Sequence, residues 1–273
     1  MAGVRKEYVC NVIRDRFLPV AGLCKRRLRL NVEGAYSLTP FNCSMAMLQR
    51  LSGVCRQWLN RPLSECSVVE GFAGQGGDTV VLLVCGRVRH LTAVEVSPEH
   101  MQNLVHNVAE YQKALYSLRR TDRHSTVAYR QDDIVRLLVR GLLQAQDVVY
   151  LDPPWGGPAY RQNPAIWIPR EDGGAVSLED LALLAASITR VLVIKLPALY
   201  NCAGLERALG AHTVCMHTFA CNKILFFFAV ISAVPVPPPP PKPRPAAASK
   251  HVLQVAVHQT APHHPANLFH QVD

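Results

Sequence analysis

The feature that most constrains the fold of this chain is an alternation of short apolar runs with segments of helical spacing. Apolar runs that predict strands lie at 67–71, 91–96, 126–129, 147–151 and 191–196. Helical patterns follow at 79–85, 97–115, 134–143 and 177–190. Strands that are apolar throughout must be buried on both faces. The repeated units therefore predict an α/β fold with a parallel sheet that helices cover on both sides.

Two more apolar runs, at 213–220 and 224–231, complete the pattern. Only Cys221, Asn222 and Lys223 separate them, and such a short connection predicts an antiparallel hairpin rather than a helical crossover. The sequence therefore predicts a mostly parallel sheet that is closed by an antiparallel C-terminal hairpin.

The two ends of the chain depart from this pattern. Residues 1–35 are basic and show no regular spacing, and an amphipathic pattern begins only at Thr39-Pro40. We therefore predict a basic N-terminal segment with a helical extension over 1–58 and the sheet domain over 59–234. Beyond it, prolines and histidines dominate and cannot build a core, so 235–273 is predicted to be a disordered tail. Its polyproline run is the kind of segment that a proline-recognition protein binds.

The charge and the cysteine content limit the classes of protein to which this chain can belong. The formal net charge is +9, and residues 1–31 contribute +6 of it from eight basic and two acidic side chains. This excess predicts a polyanionic partner, a solvated basic face or a nuclear address. Nine cysteines without any C-x-x-C pair indicate reduced thiols and no metal site.

The apolar runs also predict where in the cell the protein is located. No signal peptide opens the chain, because Arg5, Lys6 and Glu7 interrupt any apolar stretch there. The longest apolar run, 224–234, is too short to cross a membrane. We therefore expect an intracellular protein, in the nucleus or the cytoplasm, without a membrane partner.

A glycine-rich loop, EGFAGQGGDT at 70–79, follows the first predicted strand. Its glycines allow the backbone to approach a ligand closely and to turn sharply into a helix. A carboxylate at Glu70 would repel a pyrophosphate but suits a cation such as the amino group of S-adenosylmethionine. A purely structural turn is the alternative interpretation.

Two more acids follow the next predicted strands. Glu95 ends the second strand, where a carboxylate can accept hydrogen bonds from both hydroxyls of a ribose. Asp133 follows the third strand and is placed to receive the amino group of an adenine, although a helix cap is an equal alternative for it. Because ligands of such sheets bind beyond the carboxyl ends of the strands, these acids together favour a nucleoside site.

The segment Asp152-Pro153-Pro154-Trp155 follows the fourth strand. Its prolines stiffen the turn and leave backbone carbonyls free to accept hydrogen bonds. Asp152 adds a carboxylate acceptor, and Trp155 offers a flat face for stacking a base. Acceptors for an amine, beside a stacking platform and a methyl donor, indicate methyl transfer to an exocyclic amine of a nucleobase; a tight apolar turn is the alternative.

Three segments carry a resemblance to a known family. YLDPPWGGPAY at 150–160 resembles the L-S/D-P-P-W-G-G-P-x-Y segment of the trimethylguanosine synthases, which are RNA cap guanine-N2 methyltransferases. VVEGFAGQGGDT at 68–79 is similar to the family's V-V-D-x-F-x-G-x-G-G-N-T, and GAYSLTP at 34–40 to its G-x-F/Y-S-V-T-P. The likeness extends over residues 15–231, with the motifs in the family order.

The resemblance implies a class I, Rossmann-like methyltransferase with a small N-terminal helical extension. The implied reaction is methyl transfer from S-adenosylmethionine to N2 of 7-methylguanosine at the 5′ end of a capped RNA. The implied catalytic turn is Asp152, Pro153, Pro154 and Trp155. The implied cofactor contacts are Glu70, Phe72, Gly74, Gly76, Asp78, Thr79, Glu95, Asp133, Thr39 and Pro40. The implied substrate contacts are Trp155, which stacks on the base, with Ser37 and Asn107.

Departures from the family pattern leave the substrate open. Asp78 replaces an asparagine, and Asp152 replaces the serine of many members. Ala198 replaces an arginine that would contact the cap phosphates, so Lys195 or the basic segment at Lys25 is predicted to supply that charge. The alternatives are N6-adenine or internal guanine-N2 methylation, and a non-catalytic adaptor that binds a cap or RNA.

Overall fold

A computed structural model describes residues 2–118, 125–156, 165–171 and 173–232 of the chain. The predicted tail at 235–273 and the last four residues of the 150–160 motif lie outside the described residues. The division into an N-terminal extension, a sheet domain and a tail stays a prediction.

A seven-stranded sheet forms the centre of the described structure. Its strands are β1 (Ser67–Gly71), β2 (His90–Glu95), β3 (Thr126–Gln131), β4 (Gln146–Leu151), β7 (Thr189–Pro197), β8 (Thr213–Cys221) and β9 (Ile224–Ile231). The spatial order is β3-β2-β1-β4-β7-β9-β8. The first five strands are parallel, and β9 lies antiparallel between β7 and β8. The predicted α/β fold and closing hairpin are thus confirmed.

The remaining elements surround this sheet. The helices are α1 (Ala2–Arg16), α2 (Val32–Ser37), α3 (Phe41–Val54), α4 (Gly77–Val84), α5 (Pro98–Ser117), α6 (Ile134–Val139), α7 (Leu178–Ala186) and α8 (Ala203–Leu209). A separate antiparallel pair consists of β5 (Trp167–Pro169) and β6 (Ala175–Ser177). No helix among the described residues is long and apolar enough to cross a membrane.

Side chains of the strands alternate between two hydrophobic cores. Val68, Val148, Tyr150, Val193 and Phe228 pack on one face with α1, α3, α4 and α5. Their neighbours along the strands, among them Val69, Val149, Leu151, Ile194 and Phe227, pack on the other face with α6, α7 and α8. Each such buried side chain contributes about 1.5–3 kcal/mol, which explains why the strands are apolar throughout.

The structure corrects three predictions of local structure. The prediction that residues 1–35 are irregular is wrong, because α1 and α2 form there and Phe17, just after α1, is buried in the core. Helix α6 ends at Val139 rather than at 143, because Gly141 adopts φ +61° and its amide closes the helix. Helix α7 ends at Ala186 rather than at 190, because Thr189 already pairs with Gln146 in the sheet.

Candidate active site

The carboxyl ends of the parallel strands gather the predicted acids at one edge of the sheet. Glu70 lies at the end of β1, Glu95 ends β2, Asp133 follows β3 and Asp152 follows β4. The chain order reverses between β1 and β4, which is the point at which ligands bind in sheets of this kind. The folding of the sheet therefore brings together four acids that lie far apart in the sequence.

The glycine-rich loop after β1 has an unusual backbone. Phe72, Gly74 and Gly76 all have positive φ angles, of +61°, +55° and +91°. An aromatic residue rarely adopts this conformation. The positive φ angle of Phe72 therefore indicates backbone strain of the kind that clusters at functional sites. A side chain at Gly76 would also press on Leu104, because a Cβ there would lie 3.3 Å from its Cγ. Within the loop, the amide of Gly74 donates to Glu95 and the amide of Gly76 donates to the carbonyl of Ala73, so these bonds hold the turn that leads into α4.

Glu70 is the most deeply buried acid of the site, with 2% of its surface exposed. Thr79 donates a hydrogen bond to it at 2.7 Å and so orients this acid, while its predicted cofactor contact stays a prediction. Burial raises the pKa of Glu70 well above its usual range, and the charge of Asp78 raises it further. A group of this kind ionises when a cation is placed beside it, which suits the amino group of an amino acid or of a related ligand.

Glu95 is held in place by main-chain donors. Its oxygens accept hydrogen bonds from the amides of Gly74 at 2.8 Å and Ser97 at 2.9 Å. His100 lies 3.6 Å away. Burial opposes ionisation, but hydrogen bonds from His100 and the two amides lower the pKa of Glu95. The result is a carboxylate that is fixed in place at the end of β2.

A cleft of about 250 Å³ lies next to Glu95. We call it the β2–β3 cleft; its walls include Phe72, Val94, Asp133, Pro154 and Ile168. Asp133 caps α6 by accepting the amide of Val135 at 2.8 Å, as the alternative interpretation held. Its other oxygen accepts the amide of Glu171 at 3.5 Å, and both residues line the cleft. The lining also includes Asp132, Arg170 and Glu171, so the cleft combines apolar walls with charged side chains. A cleft of this composition can hold a flat nitrogen heterocycle.

The Asp152–Trp155 turn begins where β4 ends. The Asp152 amide continues the pairing with β1 through a hydrogen bond to the carbonyl of Gly71 at 3.2 Å. Pro153 is buried, Pro154 is exposed at the cleft, and Trp155 is half-buried. The indole Nε1 of Trp155 donates to the carbonyl of Lys195 at 3.3 Å, which fixes the ring. One turn therefore carries a carboxylate and a held aromatic face side by side.

Lys195 is buried beneath the Asp152–Trp155 turn, and only 2% of the residue is exposed. Its predicted contact with phosphates stays a prediction. Its Nζ donates to Oδ2 of Asp152 and to Oγ1 of Thr39, both at 2.6 Å. The inward direction follows from β7, which is a central strand whose side chains enter one core or the other.

Asp78 has a structural role within the protein. It is buried, and its carboxylate accepts hydrogen bonds from Thr39 at 2.9 Å, from Tyr150 at 2.8 Å and from Ser44. Donors from within the protein therefore surround this group, and its predicted cofactor contact stays a prediction. Asp78 ties the 39–44 segment to α4 and β4.

The 34–40 segment packs against this network and the glycine-rich loop. Thr39 is buried between Asp78 and Lys195 and connects these two groups, and its predicted cofactor contact stays a prediction. Pro40 precedes α3, and its carbonyl accepts the amides of Cys43 and Ser44. Ser37 stays exposed at the end of α2, and its hydroxyl reaches the carbonyl of Gly34 at 3.4 Å. Its predicted substrate contact stays a prediction.

Two predicted substrate residues have structural roles. Asn107 is fully buried, and its amide bonds the amide and the carbonyl of Arg29, both at 2.8 Å, and the carbonyl of Gln75 at 2.9 Å. Lys25 donates to the carbonyls of Arg14 at 2.7 Å and Phe17 at 2.6 Å, at the end of α1. In the structure, these side chains bond backbone groups, mainly of the N-terminal segment, and both predictions of substrate contact stay predictions.

The sequence analysis missed Gln75, which connects the glycine-rich loop to the N-terminal segment. Its Oε1 accepts the amide of Asn31 at 3.0 Å and the side chain of Asn103 at 2.9 Å. Gln75 is 4% exposed, so these bonds form in a protected environment. In the sequence, Gln75 stands between Gly74 and Gly76, and this large amide side chain between glycines is the pattern that could have identified it. Its hydrogen bonds stabilise the conformation of the loop.

A family model and a curated relative match parts of this chain. The family model that describes RNA cap guanine-N2 methyltransferases matches residues 66–224, the stretch that contains the glycine-rich loop, Glu95, Asp133 and the Asp152–Trp155 turn. A curated relative, "Uncharacterized protein L320" of Acanthamoeba polyphaga mimivirus, is 29% identical over 136 residues. That alignment covers 49% of this chain and 47% of the relative, so the two correspond over about half of each.

Solved structures support the fold alone. A SAM-dependent methyltransferase from Agrobacterium tumefaciens has a TM-score of 0.50 at 12% identity, covering 74% of this chain and 66% of that one. The rRNA methyltransferase aviRa from Streptomyces viridochromogenes has a TM-score of 0.51 at 14% identity, covering 76% and 90%. Both have the sheet architecture that positions the acids described above.

Proposed function

Because the chain belongs to the RNA cap guanine-N2 methyltransferase family, we propose that it methylates the exocyclic N2 of 7-methylguanosine at the 5′ cap of an RNA. Its family and fold are those of S-adenosylmethionine-dependent methyltransferases. The observation that carries the choice of substrate is the Asp152–Trp155 turn, which places a carboxylate beside a held indole at the edge of the β2–β3 cleft.

The geometry suggests how the reaction proceeds. The base stacks on Trp155, and its N2 amino group donates to Asp152, so the nitrogen lone pair is directed toward the methyl group of the cofactor. When bound, S-adenosylmethionine would supply the methyl group: the N–C bond would form as the C–S bond breaks, and S-adenosylhomocysteine would be the leaving group. The extra proton on nitrogen then leaves to solvent through the exposed fifth of Asp152, whose side chain is 22% exposed. Alignment of nitrogen, methyl and sulfur supplies most of the acceleration.

The cofactor is proposed to bind with its amino group near Glu70, its ribose on Glu95 and its adenine in the β2–β3 cleft. We expect Glu95→Ala to weaken S-adenosylmethionine binding by about 1.5–3 kcal/mol, because a charged acceptor for both ribose hydroxyls is lost. Isothermal calorimetry measures this change. Glu99→Ala removes an exposed acid in the first turn of α5 and serves as the control. Unchanged affinity in a folded Glu95→Ala protein would contradict the assignment.

The ionisation of Asp152 predicts a pH dependence. Burial raises the pKa of Asp152 to about 6, while the adjacent Lys195 lowers it. A raised carboxyl pKa means that the group is protonated below that value and accepts the N2 hydrogen bond only above it. Turnover is therefore expected to fall by about tenfold per unit as the pH drops below 6. Initial rates between pH 5 and 8 measure this limb, and an identical limb in Asp152→Ser would assign it to another group.

RNA affinity is expected to depend on the exposed arginines that precede α2. Arg26, Arg27 and Arg29 are exposed, whereas Lys25 is held by backbone carbonyls. Replacing the three arginines by glutamine should reduce the slope of log affinity against log salt by about 0.7 for each phosphate that the protein no longer neutralises. Filter binding at several salt concentrations measures the slope. Equal slopes before and after would mean that this segment faces away from RNA.

One assay tests the proposed function directly. Radiolabelled methyl transfer is measured on an m7GpppN-capped RNA, a GpppN-capped RNA and an uncapped RNA of one sequence, and the product nucleosides are separated. Label in N2 of 7-methylguanosine supports the proposal. Label in an internal adenine or guanine would replace it with the corresponding nucleic-acid methyltransferase, and RNA binding without cofactor affinity would indicate an adaptor.

A further inference from the structure

The buried ammonium of Lys195 connects three parts of the candidate site. Its Nζ bonds Asp152 of the Asp152–Trp155 turn and Thr39 of the N-terminal segment, each at 2.6 Å. The same atom lies 5.7 Å from the centroid of the Trp155 ring, and the Lys195 carbonyl accepts the indole N–H. One residue of β7 thus touches both functional groups of the turn, its carboxylate and its aromatic ring.

The charges around Asp152 show why a cation is needed there. Titratable groups from four strands and one helix act on one another in this region: Lys195, Asp78, Glu95, Glu70 and Tyr150. The acids among them disfavour a charge on Asp152, as burial does, and Lys195 opposes both effects. Removing one partner of a buried ion pair leaves the other charge without compensation, which costs far more than replacing both.

We propose that Lys195 is a positioning residue that holds Asp152 as a carboxylate and fixes the plane of Trp155, so that β7 sets both the amine acceptor and the stacking face. This inference rests on the proposed function, since the acceptor and the face are those used for the guanine base. This positioning role takes the place of the contact with cap phosphates that the sequence predicted for Lys195. Two of its three N–H donors are already used within the protein, and only 3% of its side chain is exposed.

The pairing is tested by a double-mutant cycle over Lys195→Met, Asp152→Ser and the combination. Methionine keeps the length of the side chain without its charge, and a serine hydroxyl is a neutral acceptor that needs no cation. We expect Lys195→Met alone to lower kcat on m7GpppN-RNA by about 100-fold at pH 7, with KM nearly unchanged. In the Asp152→Ser background, Lys195→Met should lower kcat by less than about threefold. Lys113→Met, at an exposed position of α5, is the matched control.

A second readout does not require any activity. The carboxyl carbon of Asp152, followed by nuclear magnetic resonance, should titrate near pH 6 in the unaltered protein and at least about one pH unit higher in Lys195→Met. This measurement separates the two proposals. If capped RNA is not a substrate but the titration moves, the cap function fails and the pairing stands; if capped RNA is methylated but the titration does not move, the pairing fails.

Two further results would overturn the role of Lys195. Equal losses of kcat in both backgrounds would show that Lys195 acts independently of Asp152. A rise in KM for capped RNA that is absent for 7-methylguanosine nucleoside would show that it binds phosphate. If Lys195→Met does not fold, recovery of a folded, cofactor-binding protein in the double variant supports the pairing, and failure of both variants to fold contradicts it.

Discussion

Trp155→Ala is expected to reduce transition-state stabilisation on an N7-methylated cap, measured through kcat/KM, by about 1.5–5 kcal/mol, the sum of base stacking and a cation–π contribution. Methylation at N7 gives guanine a positive charge, and a cation over an indole face gains about 0.5–2 kcal/mol beyond ordinary stacking. The unaltered protein should therefore prefer m7GpppN-RNA over GpppN-RNA and act after N7 methylation. The alanine variant should lose this preference together with its activity. Initial rates on the two RNAs measure both effects.

A graded series makes this result specific to the ring. Trp155→Phe should keep part of the rate and part of the preference, because a smaller ring has less stacking area and a weaker negative face. Trp58→Phe changes an indole of the N-terminal region that packs against the core and serves as the control. Equal turnover of the two capped RNAs by the unaltered protein would contradict recognition of the methylated base by Trp155.

Asp78→Ala is expected to lower the free energy of unfolding by about 3–5 kcal/mol, because three buried hydroxyl donors lose their acceptor at once. These donors come from Thr39, Ser44 and Tyr150, which belong to the N-terminal segment, α3 and β4. The loss should also make the side chain of Lys195 less well held, because Thr39 donates to Asp78 and accepts from Lys195. Denaturant unfolding followed by circular dichroism measures the change.

Asp78→Asn is the matched control for this network. An asparagine keeps one acceptor oxygen and can donate from its amide to a hydroxyl, so we expect a loss of only about 1 kcal/mol. Tyr150→Phe, which removes a single donor, should have an effect of similar size. A loss below about 1 kcal/mol for Asp78→Ala would show that the three hydroxyls find other partners and that the 39–44 segment is not held by this acid.

Patterns within short stretches of sequence were sufficient for most of the fold. The apolar strands predicted the parallel sheet, because only strands covered on both faces lack polar alternation. The helical pattern at 97–115 predicted α5, which begins where Ser97 accepts the amide of His100. The acids at 70, 95, 133 and 152 could be grouped without coordinates, because the carboxyl ends of parallel strands share one edge. Helix α1 was missed, because its weak amphipathic pattern shows no stripe that predicts a helix.

Tertiary structure alone decided which polar side chains face the ligand site and which bond within the protein. Lys195, Asp78, Asn107 and Lys25 all matched functional expectations by residue type, yet each satisfies groups inside the protein. Their partners are remote in sequence: Lys195 and Thr39 are 156 residues apart, and Tyr150 and Asp78 are 72 apart. A buried charge must find its partner wherever the packed chain provides one, and no local pattern records that choice.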